Sequence, residues 1–273
     1  MASGTFRLRP MGIGDLFDES IRLYRHNFLL FMKIGAIVFV PSVLVQILQG
    51  ASAGLTGSED SALAFVALGL AIVVLIAFAV AYVVMFGGML YAISESLLGK
   101  QVTARAAWNW GFRRFWAMIG LGLIFTVIAS LLIVTIVGWV YVAIVWGFAF
   151  HVLLLENVGI RQALGRSRAL VRGSWWRVFG ITMLYYLFTS IVSSIFSIFQ
   201  VAALGMTLFA DGNTALLMAV LVITGIISAL TQMLVAPLLY GGWTLLYYDL
   251  RARKEGFDLE LMARELEVAT GSV

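Results

Sequence analysis

The sequence contains no cysteine, which excludes disulfides, cysteine-ligated zinc, iron–sulfur clusters and thiol nucleophiles. It has two histidines, His26 and His151, leaving little scope for a histidine-based metal site or acid–base pair. No HExxH, GxSxG, Walker A or dinucleotide-binding glycine fingerprint occurs. No catalytic residue, metal or cofactor is therefore expected. Charge is also scarce: 12% of residues are charged, against about 25% in a soluble domain whose surface must be wetted.

Apolar residues are abundant instead, at 62% of the chain with a mean hydropathy of +1.01. Apolar runs cover roughly Phe28–Leu48, Ala62–Leu90, Phe115–Val137, Val140–Leu155, Val178–Leu204 and Ala215–Tyr247. The third and fourth are almost continuous. As one helix they would reach about 60 Å, twice the hydrocarbon thickness, so a hairpin at Gly138-Trp139 is expected. The second and sixth are overlong and should tilt or project. The segment before the first run carries Arg7, Arg9, Asp15, Asp18, Glu19, Arg22 and Arg25. It is too long and too acidic for a signal peptide, so the first span should remain in the mature protein.

Basic residues alternate with spans. Arg7, Arg9, Arg22 and Arg25 precede the first, and Lys100, Arg105, Arg113 and Arg114 lie between the second and third. Arg161, Arg166, Arg168, Arg172 and Arg177 lie between the fourth and fifth, and Arg251, Arg253, Lys254 and Arg264 follow the sixth. The intervening loops carry only Glu59, Asp60 and Asp211. Lys33 falls inside a run, close enough to its inner end to snorkel. The positive-inside rule places both termini in the cytoplasm. The net charge of +4 reflects this asymmetry and does not point to nucleic acid.

The basic segments share a design. Ile13, Leu16, Phe17, Ile21, Tyr24 and Phe28 recur at helical spacing, opposite Asp15, Asp18, Glu19, Arg22 and His26. Ala104, Trp108, Gly111 and Phe115 alternate with Arg105, Asn109 and Arg113. Ile160, Leu164, Val171 and Trp175 oppose Arg161, Arg168 and Arg172. Each reads as a short amphipathic helix on the inner membrane surface that turns into a span. Gly12, Gly99 and Gly159 stand at corresponding starts. Glu95, Glu156 and Asp249 end the even spans, following Gly87-Gly88, Gly147 and Gly241-Gly242 respectively. This spacing predicts three parallel repeats, about 10–98, 99–157 and 158–257, around a pseudo-threefold axis along the membrane normal.

Three stretches resemble a known family: Arg9-Pro10-Met11-Gly12-Ile13-Gly14-Asp15-Leu16-Phe17-Asp18 with Arg22-Leu23-Tyr24-Arg25-His26-Asn27-Phe28, then 163–177 (ALGRSRALVRGSWWR), then 247–260 (YYDLRARKEGFDLE). They are similar to bacterial membrane proteins named for the glycerophosphoryl diester phosphodiesterase membrane domain. The resemblance spans roughly residues 7 to 267 and is most specific in the last motif. It implies fold and topology. It does not carry over the hydrolase, whose barrel uses a His-Arg-Gly signature. Here Asn27 follows His26 and Val152 follows His151, and a barrel of about 250 residues has no room.

The few intramembrane polar groups are weighed against packing roles. His151 could bind a ligand or relay a proton, but a lone histidine makes no relay, so a neutral imidazole hydrogen-bonded between helices is expected. Glu95, Glu156 and Asp249 could form a cation-selecting ring; pairing with arginines of the interfacial helices is preferred, because an acid near a helix C-terminus opposes the macrodipole. The stripes Ser190, Ser193, Ser194, Ser197 and Thr224, Ser228, Thr231, Gln232 could wet a path, but helix packing is preferred. Arg22, Arg25, Arg105, Arg113, Arg114, Arg161, Arg168, Arg172 and Arg177, with tryptophans near the inner boundary, are candidate contacts for anionic lipid head groups.

The expectation is an all-α integral membrane protein with six transmembrane helices in three parallel repeats, each an interfacial amphipathic helix plus a helical hairpin. A single membrane domain covers 1–257, and a short cytoplasmic helix or tail covers 258–273. The expected location is the bacterial inner membrane. The expected role is a non-catalytic scaffold or accessory subunit associated with anionic lipids and a membrane-protein partner. A transporter or channel along the pseudo-threefold axis is the alternative.

Overall fold

The computed structural model describes residues 10–55, 61–132, 135–207 and 213–256; the expected tail helix over 258–273 lies outside them. The described residues form helices and no strand. In chain order these are α1 (Ile13–His26), α2 (Phe28–Leu55), α3 (Ser61–Leu97), α4 (Ala104–Leu132), α5 (Ile136–Val145), α6 (Ala149–Leu155), α7 (Ile160–Val171), α8 (Trp175–Thr207) and α9 (Thr214–Glu255). Six stretches are long and apolar enough to cross a membrane: Phe28–Leu48, Leu68–Leu97, Ala104–Leu132, Val137–Leu155, Trp175–Ala203 and Met218–Glu255. The chain is an all-α, multi-pass membrane protein.

Three local expectations are corrected. The hairpin expected at Gly138-Trp139 lies earlier: Thr135 is extended and the helix restarts at Ile136, so Gly138 and Trp139 are inside α5. The second basic segment is not a separate helix, since α4 runs unbroken from Ala104 to Leu132. A non-helical Asn27 separates α1 from α2, and Gly173 at φ +81° separates α7 from α8. No proline or left-handed residue interrupts residues 104–132, so helical hydrogen bonding continues. Conversely, the fourth span is not one helix. Around Gly147 the ladder tightens, with Gly147 N donating to Ile144 O (3.3 Å) and Ala149 N to Trp146 O (2.9 Å), and α5 ends before α6 begins. Glycine is required there because an added Cβ would lie 2.7 Å from the Trp243 ring.

That break frees the Val145 carbonyl from its usual partner four residues on. The buried Ser167 hydroxyl of α7 donates to it at 2.8 Å. A backbone acceptor lost by α5 is thus satisfied from another element, as burial requires.

Small residues set the helix contacts within the spans. A Cβ on Gly111 of α4 would fall 2.3 Å from the Val84 carbonyl of α3, and one on Gly242 of α9 2.2 Å from the Tyr185 ring of α8. The amphipathic elements pack mainly on even spans, α1 on α9 and α7 on α6, and each also touches an odd span. Phe17 of α1 stacks on Tyr185 of α8 at 4.3 Å. Trp108, near the start of α4, donates Nε1–H to the Ile34 carbonyl of α2 at 3.1 Å. Ile160 of α7 lies beside Gly120 of α4.

Burial concentrates at the end of the bundle carrying α1 and α7, termed the basic end. Leu16, Leu23, Leu97, Leu170, Leu246 and Leu250 are buried there, whereas Phe65, Val66, Leu131, Ile191, Ile198 and Val201, towards the other ends of their spans, are exposed. Apolar side chains gain nothing by leaving hydrocarbon for one another. Where the chain meets water they must be covered, and α1 and α7 cover them. At 42 residues, α9 reaches about 63 Å, twice the hydrocarbon thickness, and its surplus projects into this collar.

Candidate functional site

The last turns of α9 are where most elements meet. Tyr248 and Ser94 of α3 share a hydrogen bond at 2.5 Å. Tyr247 donates to Glu156, after α6, at 2.8 Å. Lys254 donates to the carbonyls of Ala169 and Arg172, meeting the unpaired C-terminal acceptors of α7 and complementing its dipole. Nearby, Tyr185 of α8 donates to the Leu16 carbonyl of α1 at 2.9 Å and shares a second bond with Ser20 at 2.6 Å.

Asp249 is 0% exposed. Its carboxylate accepts the Met11 backbone amide at 2.7 Å, Arg177 Nη2 at 3.0 Å and Arg253 Nε at 3.0 Å. The same two guanidinium groups donate to the Met11 carbonyl, at 2.8 Å from Arg177 and 2.7 Å from Arg253. One residue ahead of α1, Met11, is therefore held on both its backbone polar groups by α8 and α9. A buried carboxylate persists only when hydrogen-bonded and paired in this way.

Glu156 forms a separate cluster. Arg166 of α7 donates Nε–H to it at 2.5 Å and reaches Glu255 at 2.9 Å, and Arg251 bonds Glu255 at 3.1 Å. The hydrogen bond to Glu156, aided by the charge of both acids, raises the Arg166 pKa above its ordinary value. Glu95 takes a third course: its partner is Lys100 in the adjoining turn, at 2.8 Å. The expected pairing with interfacial arginines thus holds for Glu156. Asp249 instead uses Arg177 and Arg253, at the start of α8 and the end of α9. The acids are tied into separate local networks.

His151 is buried in α6 among Phe148, Trp243 and Tyr247. Thr244 places its single proton on the Tyr240 carbonyl at 2.8 Å. Its oxygen also shares a hydrogen bond with His151 Nε2 at 3.3 Å. Nδ1 has no partner among the described residues. No group of three histidine, aspartate or glutamate side chains converges to hold a metal among the described residues.

The serine stripe behaves differently from the preferred packing role. Ser190, Ser194 and Ser197 are exposed on α8 and each donates to a carbonyl of its own helix. Thr224 and Thr231 of α9 likewise bond within their helix; Ser228 of that stripe crosses, accepting from Gln200 of α8 at 2.9 Å.

The arginines divide into two sets. Arg25, Arg105, Arg113, Arg161, Arg168 and Arg172 are exposed and make no ion pair among the described residues. Arg22 is exposed beside Glu19, and Arg114 lies over the Trp110 ring at 5.0 Å. Arg177 does not belong with them, because its guanidinium is spent on Asp249 and Met11. At the start of each odd span one large apolar side chain protrudes: Leu29 (71% exposed), Trp116 (80%) and Trp176 (77%). Arg166, Arg253, Lys254, Tyr247 and Ser167 were not singled out from sequence. Their types are ordinary for a basic juxtamembrane stretch, and only their partners distinguish them.

Compared with family models, with curated proteins and with solved structures, the chain matches none.

Proposed function

We propose that this multi-pass protein is a non-catalytic scaffold or accessory subunit of the bacterial inner membrane, held to anionic lipids through its basic end. The observation that carries this reading is the division of polar groups. Asp249, Glu156, Arg177, Arg166, Arg253 and Lys254 are occupied in bonds that join elements. The free arginines instead face outward beside Trp116 and Trp176. Outward arginines suit lipid phosphates, at about 1 kcal/mol each near an anionic surface, and protruding tryptophans suit the headgroup level.

In this reading the basic end and both termini are cytoplasmic, and the three units are parallel repeats. Each amphipathic segment then touches an odd span of another unit, α1 at α8, the start of α4 at α2, and α7 at α4, beside the main packing of α1 on α9 and α7 on α6. The register supports this. Phe31, Met118 and Val178 are buried two residues after Leu29, Trp116 and Trp176, as are Ile34, Leu121 and Ile181 one turn further on.

Transport along the pseudo-threefold axis needs a continuous polar path. Ser190, Ser194 and Ser197, its main candidates, face outward, which weighs against it.

Purification of the full chain from native membranes in mild detergent, with mass spectrometry of retained proteins and lipids, tests the proposal. A stoichiometric protein partner together with enriched anionic lipid supports it. A solitary particle with robust activity of its own overturns it.

A further inference from the structure

Between α3, α4, α6, α8 and α9 lies a cleft of about 500 Å³, within the about 300–1,000 Å³ range of small-ligand sites. It is open-sided, with Leu123 (62% exposed) and Tyr186 (51%) in its wall. The rest is mostly apolar, with an aromatic cluster in which Phe86 meets Phe150 and Tyr240 edge-on, centroids 5.4 and 5.2 Å apart. Among the described residues no charged side chain lines it. Tyr82 and Tyr186 lie more than about 15 Å along their helices from the nearest span end, and Tyr240 lies at the level of Tyr82, to which it is hydrogen-bonded.

The hydroxyls of this cleft are poorly satisfied. Tyr82 and Tyr240 pair with each other at 3.2 Å, which uses one proton and leaves the second O–H without an acceptor among the described residues. Tyr186 and Thr126 make no hydrogen bond among the described residues. Elsewhere along the spans, Ser42, Ser130, Ser190 and Thr224 donate to carbonyls of their own helices. Hydrocarbon supplies no acceptor, so an unmet hydroxyl at this depth is costly. Bulk acyl chains filling the cleft would not relieve it.

We propose that this cleft binds a neutral lipophile carrying a carbonyl oxygen, with the oxygen at the Tyr82–Tyr240 pair and the apolar body along Phe86 and Phe150. A prenylated quinone and a diacylglycerol share this chemistry. A phospholipid does not seat its head group here, because the wall offers no cation to a phosphate. The inference is independent of the scaffold reading and applies to the protein alone.

The test uses the purified full chain in non-ionic detergent, offered a prenylated benzoquinone, dioleoylglycerol or dioleoyl phosphatidylglycerol, with native mass spectrometry as readout. One quinone or one diacylglycerol per chain is expected, and the arm that binds identifies the source. Tyr240→Phe removes a hydroxyl without changing shape and should weaken binding about tenfold. Gly122→Phe should abolish it: an added Cβ at Gly122 meets nothing within 4 Å, so the ring fills the cleft. Thermal midpoints close to that of the parent establish folding, and Tyr186→Phe at the exposed wall replaces any variant that fails. Retention of phosphatidylglycerol alone, retention unchanged in the Tyr→Phe variants, or no retention of a neutral lipophile overturns the proposal.

Discussion

The Asp249 carboxylate, buried near the end of α9, accepts the backbone amide of Met11, 238 positions earlier in the chain, at 2.7 Å. Arg177 and Arg253 close the arrangement by binding both the carboxylate and the Met11 carbonyl. The segment leading into α1 is therefore fastened by charge-assisted bonds, about twice as strong as neutral ones.

Asp249→Asn removes the charge and leaves two guanidinium groups facing each other. Losing one partner of a buried pair costs about 3–5 kcal/mol when all is buried; with the arginines about one-third exposed, roughly 2–4 kcal/mol is expected. The thermal midpoint in mild detergent should fall by several degrees. Unchanged stability would mean the clamp is idle.

Gly242→Ala should separate α8 from α9. The new Cβ would stand 2.2 Å from the Tyr185 ring, and that ring is held at Leu16 and Ser20, so overpacking should cost about 1–3 kcal/mol. Gly122→Ala meets open space and serves as the control, with a shift near zero. The two variants are compared by thermal unfolding of the purified protein.

Ser167→Ala orphans the Val145 carbonyl at the α5–α6 break. An unmet buried acceptor costs about 1–3 kcal/mol. Hydrogen exchange should rise first in α6 and α7, ahead of global unfolding, if the serine supports the break locally.

Replacing Arg105, Arg113, Arg161, Arg168 and Arg172 together by glutamine should strip retained anionic lipid, at about 1 kcal/mol per arginine. The fold should persist, and in the parent protein added salt should mimic the loss. Arg177→Gln is expected to behave oppositely, lowering thermal stability while leaving lipid retention near the parent level. Equal effects of both variants on lipid would remove the distinction between the outward and inward sets.

Orientation is open to direct labelling, because the chain has no cysteine. Arg105→Cys should react with a membrane-impermeant maleimide only after permeabilisation, and Thr135→Cys, between α4 and α5, should react in intact cells. The reverse pattern would invert the assignment of the basic end.

The number of spans was legible in the chain because hydrocarbon imposes one simple demand, an apolar run long enough to cross it, but most limits were not: the third run, read as Phe115–Val137, is Ala104–Leu132 in the structure. Phe28–Leu48 was read from composition with the bounds the structure has, and so was the presence of short helices at 13–26 and 160–171. The continuity of α4 was missed because amphipathic spacing says where a face lies, not whether a helix bends. The break at Gly147 was missed because it answers to the Trp243 ring, which arrives nearly a hundred positions later in the chain. Likewise, that Glu95 pairs with Lys100 while Glu156 reaches Arg166, and that Arg177 turns inward while Arg172 turns out, follows from distances between elements. Sequence alone determined which solvent each stretch faces, since partitioning depends on local composition. Tertiary structure decided which polar groups meet, because a buried charge is satisfied by geometry and not by residue type.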